Sequence, residues 1–171
     1  MTKQHQATPK ALLAAQELLF TPAKLNVRDI VVEQEGQEYE ACHFRLEDKT
    51  IQFRASKITP TKVGQFVTFW KRSKDGITMP HETSDQFDFL IVSATCKDKV
   101  GLFILSKKAL RQHDIISKSG VGGKRGFRVY PAWDITNNPQ AIKSQKWQLN
   151  YFMQLQTDRA INSSRLQKLL S

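Results

Sequence analysis

The hydrophobic positions of this chain alternate more often than they repeat with a helical period. In Glu40–Leu46, Cys42, Phe44 and Leu46 share one side; in Ile51–Ile58, Ile51, Phe53 and Ala55 do, leaving Gln52, Arg54 and Ser56 outward. Period two marks a half-buried strand, and Glu47-Asp48-Lys49 between the runs predicts a hairpin. Gln65–Trp70 is apolar on both faces, as a buried strand is. A polar loop, Ser73 to Gln86, follows. Asp88–Thr95 and Val100–Leu105 are further strands joined by the turn Lys97-Asp98-Lys99, and Phe127–Tyr130 is another, ended by Pro131.

Helical signals are fewer. Thr8 as N-cap and Pro9 at the first helical position open a helix running to Phe20, with Leu12, Leu13, Leu18 and Leu19 on one face. Ser106 caps a helix over Lys107–Ile116, Pro139 starts one reaching about Gln156, and Arg159–Leu170 reads as a last amphipathic helix. The order of these elements predicts a single mixed α+β domain with a central mixed sheet flanked by helices. Residues 1–8 are expected to be disordered, 9–156 to form the domain, and 157–171 to be a C-terminal helical extension or tail.

Length and composition agree with this. The 171 residues, 40% hydrophobic and 25% charged, suit one domain with a packed core. Cys42 and Cys96 lie in apolar runs and read as buried thiols. The polar start of the chain lacks the apolar segment of a signal peptide, and no apolar stretch is long enough to cross a bilayer. The expected location is the cytoplasm, with no membrane partner.

The charge distribution says more about function. The net charge is +10. Residues 1–96 hold 12 Lys and Arg against 12 Asp and Glu, whereas residues 97–171 hold 14 against only Asp98, Asp114, Asp134 and Asp158. The whole excess sits in the C-terminal part, which points to a polyanionic partner.

Three stretches carry candidate chemistry. In Arg54–Arg72 the turn Thr59-Pro60-Thr61-Lys62 breaks two strands and gathers hydroxyls, free amides and cations suited to an anion, with Lys57, Gln65, Lys71 and Arg72 nearby. Gly120, Gly122, Gly123 and Gly126, mixed with Lys118, Lys124, Arg125 and Arg128, make a basic loop. It fails as a nucleotide-hydrolysing P-loop, because Lys118 stands where the first glycine is required and Arg125 where Ser or Thr is. On the helix from Gln140, Lys143, Lys146 and Trp147 share a face at i, i+3 and i+4, so cations flank a ring able to stack a base. The same ring would serve equally in a core with Leu149, Tyr151 and Phe152. His5, His43, His81 and His113 are scattered without metal-ligand spacing, so no metal or other cofactor is expected.

The segments Phe53–Arg72, Lys124–Asp134 and Gln145–Gln148 resemble the MepB family of bacterial proteins, with similarity extending from about Ala11 to Leu155. The resemblance implies a restriction-endonuclease-like fold of the PD-(D/E)XK type. In such nucleases an acid opening one central strand and a (D/E)-x-K on the next hold a divalent metal that activates water. Asp88, with Asp85 nearby, matches the first acid as a vestigial candidate. Counting back from Lys107 puts Leu105 at the second, and Val100–Leu105 holds no carboxylate.

The reading that follows is a nucleic-acid-binding protein on a nuclease-like scaffold with a degenerate metal site, leaning towards single-stranded DNA or RNA and away from catalysis. Its expected contacts are Lys57, Thr59, Lys62, Gln65, Lys71, Arg72, Lys124, Arg125, Arg128, Lys143, Lys146 and Trp147, with no catalytic residue assigned. Two alternatives stand beside it: a metal-dependent nuclease with a rearranged site around Asp88, and an accessory factor holding a small anion or a protein at Thr59–Gln65.

Overall fold

A computed structural model describes residues 6–157 and 159–171. The expected disorder of residues 1–8 therefore falls largely outside the described residues, as does His5. A six-stranded sheet forms the centre. In chain order its strands are β1 (Val27–Val32), β2 (Cys42–Leu46) and β3 (Lys49–Ala55), then, after four short strands, β8 (Phe89–Cys96), β9 (Lys99–Ser106) and finally β11 (Phe152–Leu155). They lie side by side in the order in which they are named. Only β3 and β8 pair in parallel, so the sheet is mixed.

A parallel pair needs a crossover, usually a helix. Here the crossover contains β4 (Lys57–Ile58), β5 (Gln65–Thr68), β6 (Lys71–Arg72) and β7 (Thr78–Met79). Strands β4 and β5 join β10 (Gly126–Val129) in a three-stranded sheet, while β6 and β7 form a ribbon.

The central hairpin explains the two-sided core. In β8 and β9 successive side chains enter opposite faces. Ile91, Leu102 and Ile104 join Phe44 and Phe53 under α1 (Lys10–Ala15), while Leu90, Val92, Phe103 and Leu105 meet Val67, Phe69 and Phe127 of the small sheet. Helix α2 (Lys107–Gln112) buries Leu110 on this second side, where α3 (Pro139–Gln148) packs Trp147.

Several expectations change in detail. Strand β1 forms where no strand is expected, and β7 forms inside the expected polar loop Ser73–Gln86, where it pairs with β6. Helix α1 has Pro9, not Thr8, at its cap, and its Ala11 N–H donates to the distant Glu40 carboxylate at 3.0 Å. After Ala15 it widens into a π-turn over Gln16–Phe20, and Leu13 is 52% exposed. Helix α3 stops at Gln148; Phe152–Leu155 fills the open edge of β9 instead, because edge pairing satisfies a row of backbone groups that a longer helix would leave bare. The C-terminal segment docks through α4 (Ser163–Leu169): Leu166 enters the core and the Arg165 guanidinium donates to the Phe152 carbonyl at 2.8 Å. Finally, Arg54 does not point to solvent. The small sheet covers that face of β3 and leaves Arg54 only 6% exposed.

Candidate nucleic-acid interface

Helix α3 has a cap that matches its sequence, with Asn138 Oδ1 accepting from the Ala141 N–H at 2.9 Å and Pro139 at the first position. Its inward side is fixed by two glutamines. Gln148 is buried and pairs like a piece of strand with β10, donating to the Arg128 carbonyl at 2.9 Å and accepting from the Tyr130 N–H at 2.8 Å. Gln145 donates to the carbonyls of Pro131 and Asp134 at 3.0 and 2.9 Å. With these two tied inward, Lys143, Lys146 and Trp147 border a groove of about 1260 Å3 between α3 and the small sheet.

Lys62, from the turn between β4 and β5, and Lys124, from the glycine-rich loop, reach the same groove from its other walls. Arg128 lines it too, but its guanidinium is spent on the protein. It donates to the carbonyls of Val63 and Gly64, both at 3.0 Å, and to Thr59 Oγ1 at 2.9 Å. Arg128 is thus the brace that shapes the Thr59–Gly64 turn, and Thr59 is one of its anchors. Gly64 permits the turn: its φ of +83° suits glycine, and a Cβ there would lie 2.6 Å from the Tyr130 ring.

The groove floor holds a stack the sequence does not announce. His113, just after α2, lies parallel to Trp147 with ring centroids 3.7 Å apart and planes 5° apart. Burial lowers the His113 pKa, which favours a neutral imidazole against the indole. Trp147 therefore satisfies both readings of its sequence: it packs against the core and also faces the groove. No Asp or Glu is among the groove-lining residues.

The remaining expected contacts lie elsewhere. Lys57 is exposed on β4, its Nζ 5.0 Å from the centre of the Tyr39 ring, which meets groove-lining Phe66 edge-on. Arg125 is exposed and donates twice to the Thr78 carbonyl, at 3.1 and 3.0 Å. Gln65 is 2% exposed and bonded to Ser56 and the Thr95 carbonyl, so its role is internal. Lys71 and Arg72 belong to a separate pocket. Lys71 Nζ contacts Glu82 at 2.9 Å and Asp85 at 2.6 Å. Burial alone would lower its pKa, but these hydrogen bonds raise it. Arg72 pairs with Glu35 at 2.7 Å.

The residues at the expected metal position are committed elsewhere. Asp88 accepts the Thr50 N–H at 2.8 Å, which ties the start of β8 to β3. Leu105 is fully buried in the core opposite Leu90. Lys107 donates to the Asp85 carbonyl and sits over the Phe87 ring at 4.8 Å. One committed carboxylate and one core leucine do not fit a divalent cation, which requires several hard oxygen ligands. No group of three or more metal-ligating side chains is close enough to hold an ion among the described residues.

Fold and groove together define a single-domain mixed α+β protein with a lysine-bordered groove whose lining residues include no carboxylate. The family model described as MepB-like matches residues 33–154, and the chain belongs to that family. The crystal structure of MepB is similar to it at 30% identity, with a TM-score of 0.75, over 89% of this chain and 99% of that one. A bacterial homing endonuclease, I-Ssp6803I, resembles it at 12% identity and a TM-score of 0.45 over 80% and 87% of the two chains, a likeness too slight to carry an argument. No curated protein matches it. No helix among the described residues is long and apolar enough to cross a membrane.

Proposed function

We propose that this protein binds single-stranded nucleic acid in the groove between α3 and the small sheet, and that it holds the strand without cutting it. The observation that carries this reading is the groove lining: Lys62, Lys124, Lys143 and Lys146 surround a stacked His113–Trp147 pair with no carboxylate among the lining residues. Lysines track a phosphodiester backbone, and an aromatic platform takes unstacked bases whatever their identity. A duplex keeps its bases stacked inside and would leave the rings unused, which favours a single strand of DNA or RNA. The lack of cleavage follows from Asp88 and Leu105, whose commitments leave nothing to hold a catalytic metal at the family's expected position. Such a role belongs in the cytoplasm, where these strands occur.

The test is a salt titration of affinity for a labelled single-stranded oligonucleotide. Each neutralised phosphate contributes roughly 0.7 to the log–log slope for a single strand, so replacing all four lysines by Gln should flatten the slope by about 3. Trp147→Ala should cost about 1–3 kcal/mol of binding with little change in slope. A wild-type slope near zero overturns the reading.

A further inference from the structure

A second pocket, of about 580 Å3, opens beside β3 and the β6–β7 ribbon, apart from the groove. Its charged side chains are mostly satisfied within the protein. Glu33 pairs with His43 at 2.6 Å, Glu35 with Arg72 at 2.7 Å, and Lys71 with Glu82 and Asp85. Arg54 is different. It is 6% exposed and lines the pocket, with its guanidinium 5.3 Å from the centre of the Phe69 ring. One terminal nitrogen, Nη1, donates to the Phe53 carbonyl at 2.9 Å and to Gln52 Oε1 at 3.3 Å. Among the described residues, no hydrogen-bond acceptor meets the Nε–Nη2 edge and no carboxylate forms an ion pair with the group.

Behind this edge His81 holds a buried atom without a partner. His81 is 8% exposed, stacked on Phe69 at 4.0 Å, and its Nδ1 lies 3.3 Å from Asp85, yet the buried Nε2 has no partner. Burial and the charge of Arg54 lower its pKa to about 4, so it is neutral at pH 7. Buried charges and polar atoms are ordinarily matched. The Arg54 Nε–Nη2 edge reaches the pocket space without a partner, and it is this edge that the chain alone leaves incomplete; His81 Nε2, an acceptor enclosed by the core, only marks how apolar the wall behind it is.

We propose that this pocket is an anion-binding site in which the Nε–Nη2 edge of Arg54 takes a phosphate group. That edge is the planar fork that grips two oxygens of one phosphate. Arg72 offsets Glu35 and Lys71 offsets Glu82 and Asp85, which removes their repulsion, while Glu33, held by His43, remains the one nearby negative charge, acting on Arg54. Half-buried Trp70 at the pocket wall, 5.3 Å from the Arg72 guanidinium, leaves room for what the phosphate is attached to. The phosphate can come from a free phosphorylated small molecule or from the end of a nucleic-acid strand, and both present the same chemistry to Arg54.

The experiment uses the full chain carrying the four groove-lysine substitutions, so that the groove contributes nothing. Its melting temperature should rise saturably with inorganic phosphate against chloride of matched ionic strength, and the Arg54 Nε–H NMR resonance should shift. Because a variant lacking Arg54 may fail to fold, the second protein is Gln52→Glu, nearly isosteric and placing a carboxylate beside Nη1. This built-in anion should abolish both phosphate responses in a folded protein. Mononucleotide competing with phosphate assigns the site to a free ligand; tighter binding of a 5′-phosphorylated than a 5′-hydroxyl oligonucleotide assigns it to a strand end. No phosphate response in the lysine variant, or a full response in Gln52→Glu, overturns the proposal, whatever the fate of the groove.

Discussion

Phe66 and Thr68 point to the same outward face of β5, yet they open onto two regions that treat charge in opposite ways: Phe66 lines the groove and Thr68 the Arg54 pocket. In the pocket every cation but Arg54 is paired with an acid, Arg72 with Glu35 from the turn after β1 and Lys71 with Glu82 and Asp85 from the loop after β7. In the groove, lysines face one another across a space with no acid on its lining. Like charges held together without compensation destabilise a fold slightly, and such an arrangement is useful when a polyanion relieves it. The pocket is built wholly from the charge-balanced part of the chain, whereas all the groove lysines except Lys62 come from the part carrying the whole excess of +10.

The contrast depends on a brace, and breaking it has the largest expected effect. Arg128 is a cation at the groove, but it behaves as Lys71 and Arg72 do in the pocket and spends its guanidinium inside the protein. Hydrogen bonds from a charged group are worth about 1.5–3 kcal/mol each and do not add fully, so Arg128→Met should destabilise the fold by about 4 kcal/mol in urea denaturation. Arg128→Lys keeps the charge but not the fork, and should lose more than half as much. If the lysine variant were as stable as wild type, Arg128 would be an ordinary groove cation.

The next effect belongs to the pocket alone and is a matter of pH. The His81 pKa is lowered by burial first and by Arg54 second, from 6.5 to about 4. The unfolded chain takes up a proton near pH 6.5 while the folded one resists until about pH 4. Stability is therefore complete above pH 6.5 and falls as the pH drops through that window, by about 3 kcal/mol in total. Denaturation curves measured from pH 7.5 to 4 should show this slope, and His81→Phe, which keeps a ring against Phe69, should flatten it. The Asp85 pKa is also lowered, against the effect of burial, by its hydrogen bond with Lys71, so its own loss of stability begins in the ordinary carboxylate range and is complete only below it.

The sequence discloses these two regions unequally. Strands β2, β3, β8 and β9 are legible because alternation registers directly which residues face the core, and the hairpin turns are polar. Strand β11 is not: Phe152–Leu155 becomes strand only because β9 offers it an open edge, a tertiary fact no local window contains. The groove cations of α3 are legible because Lys143, Lys146 and Trp147 share a helical face. His113 is not, since its partner lies 34 residues away and only folding stacks them. Arg54 shows the limit of alternation most clearly. A strand pattern says that Arg54 lies opposite Phe53, but not that the small sheet folds over that side and buries it.

The smallest effects separate the two regions most cleanly, because they exchange sign of consequence between two single lysines. Lys71→Gln removes the cation shared by Glu82 and Asp85 and leaves two half-buried acids facing each other, so it should cost about 1 kcal/mol of stability. It should leave oligonucleotide affinity and its salt slope unchanged, since Lys71 has no charge to spare. Lys143→Gln on exposed α3 should alter stability by less than about 0.5 kcal/mol but flatten the salt slope by about 0.7, the share of one phosphate on a single strand. Paired urea and salt titrations on the two variants measure both quantities. Should Lys71→Gln flatten the slope as much as Lys143→Gln, Lys71 would itself meet a phosphate, and the division between the self-neutralised cations of β6 and the receptive groove would fall.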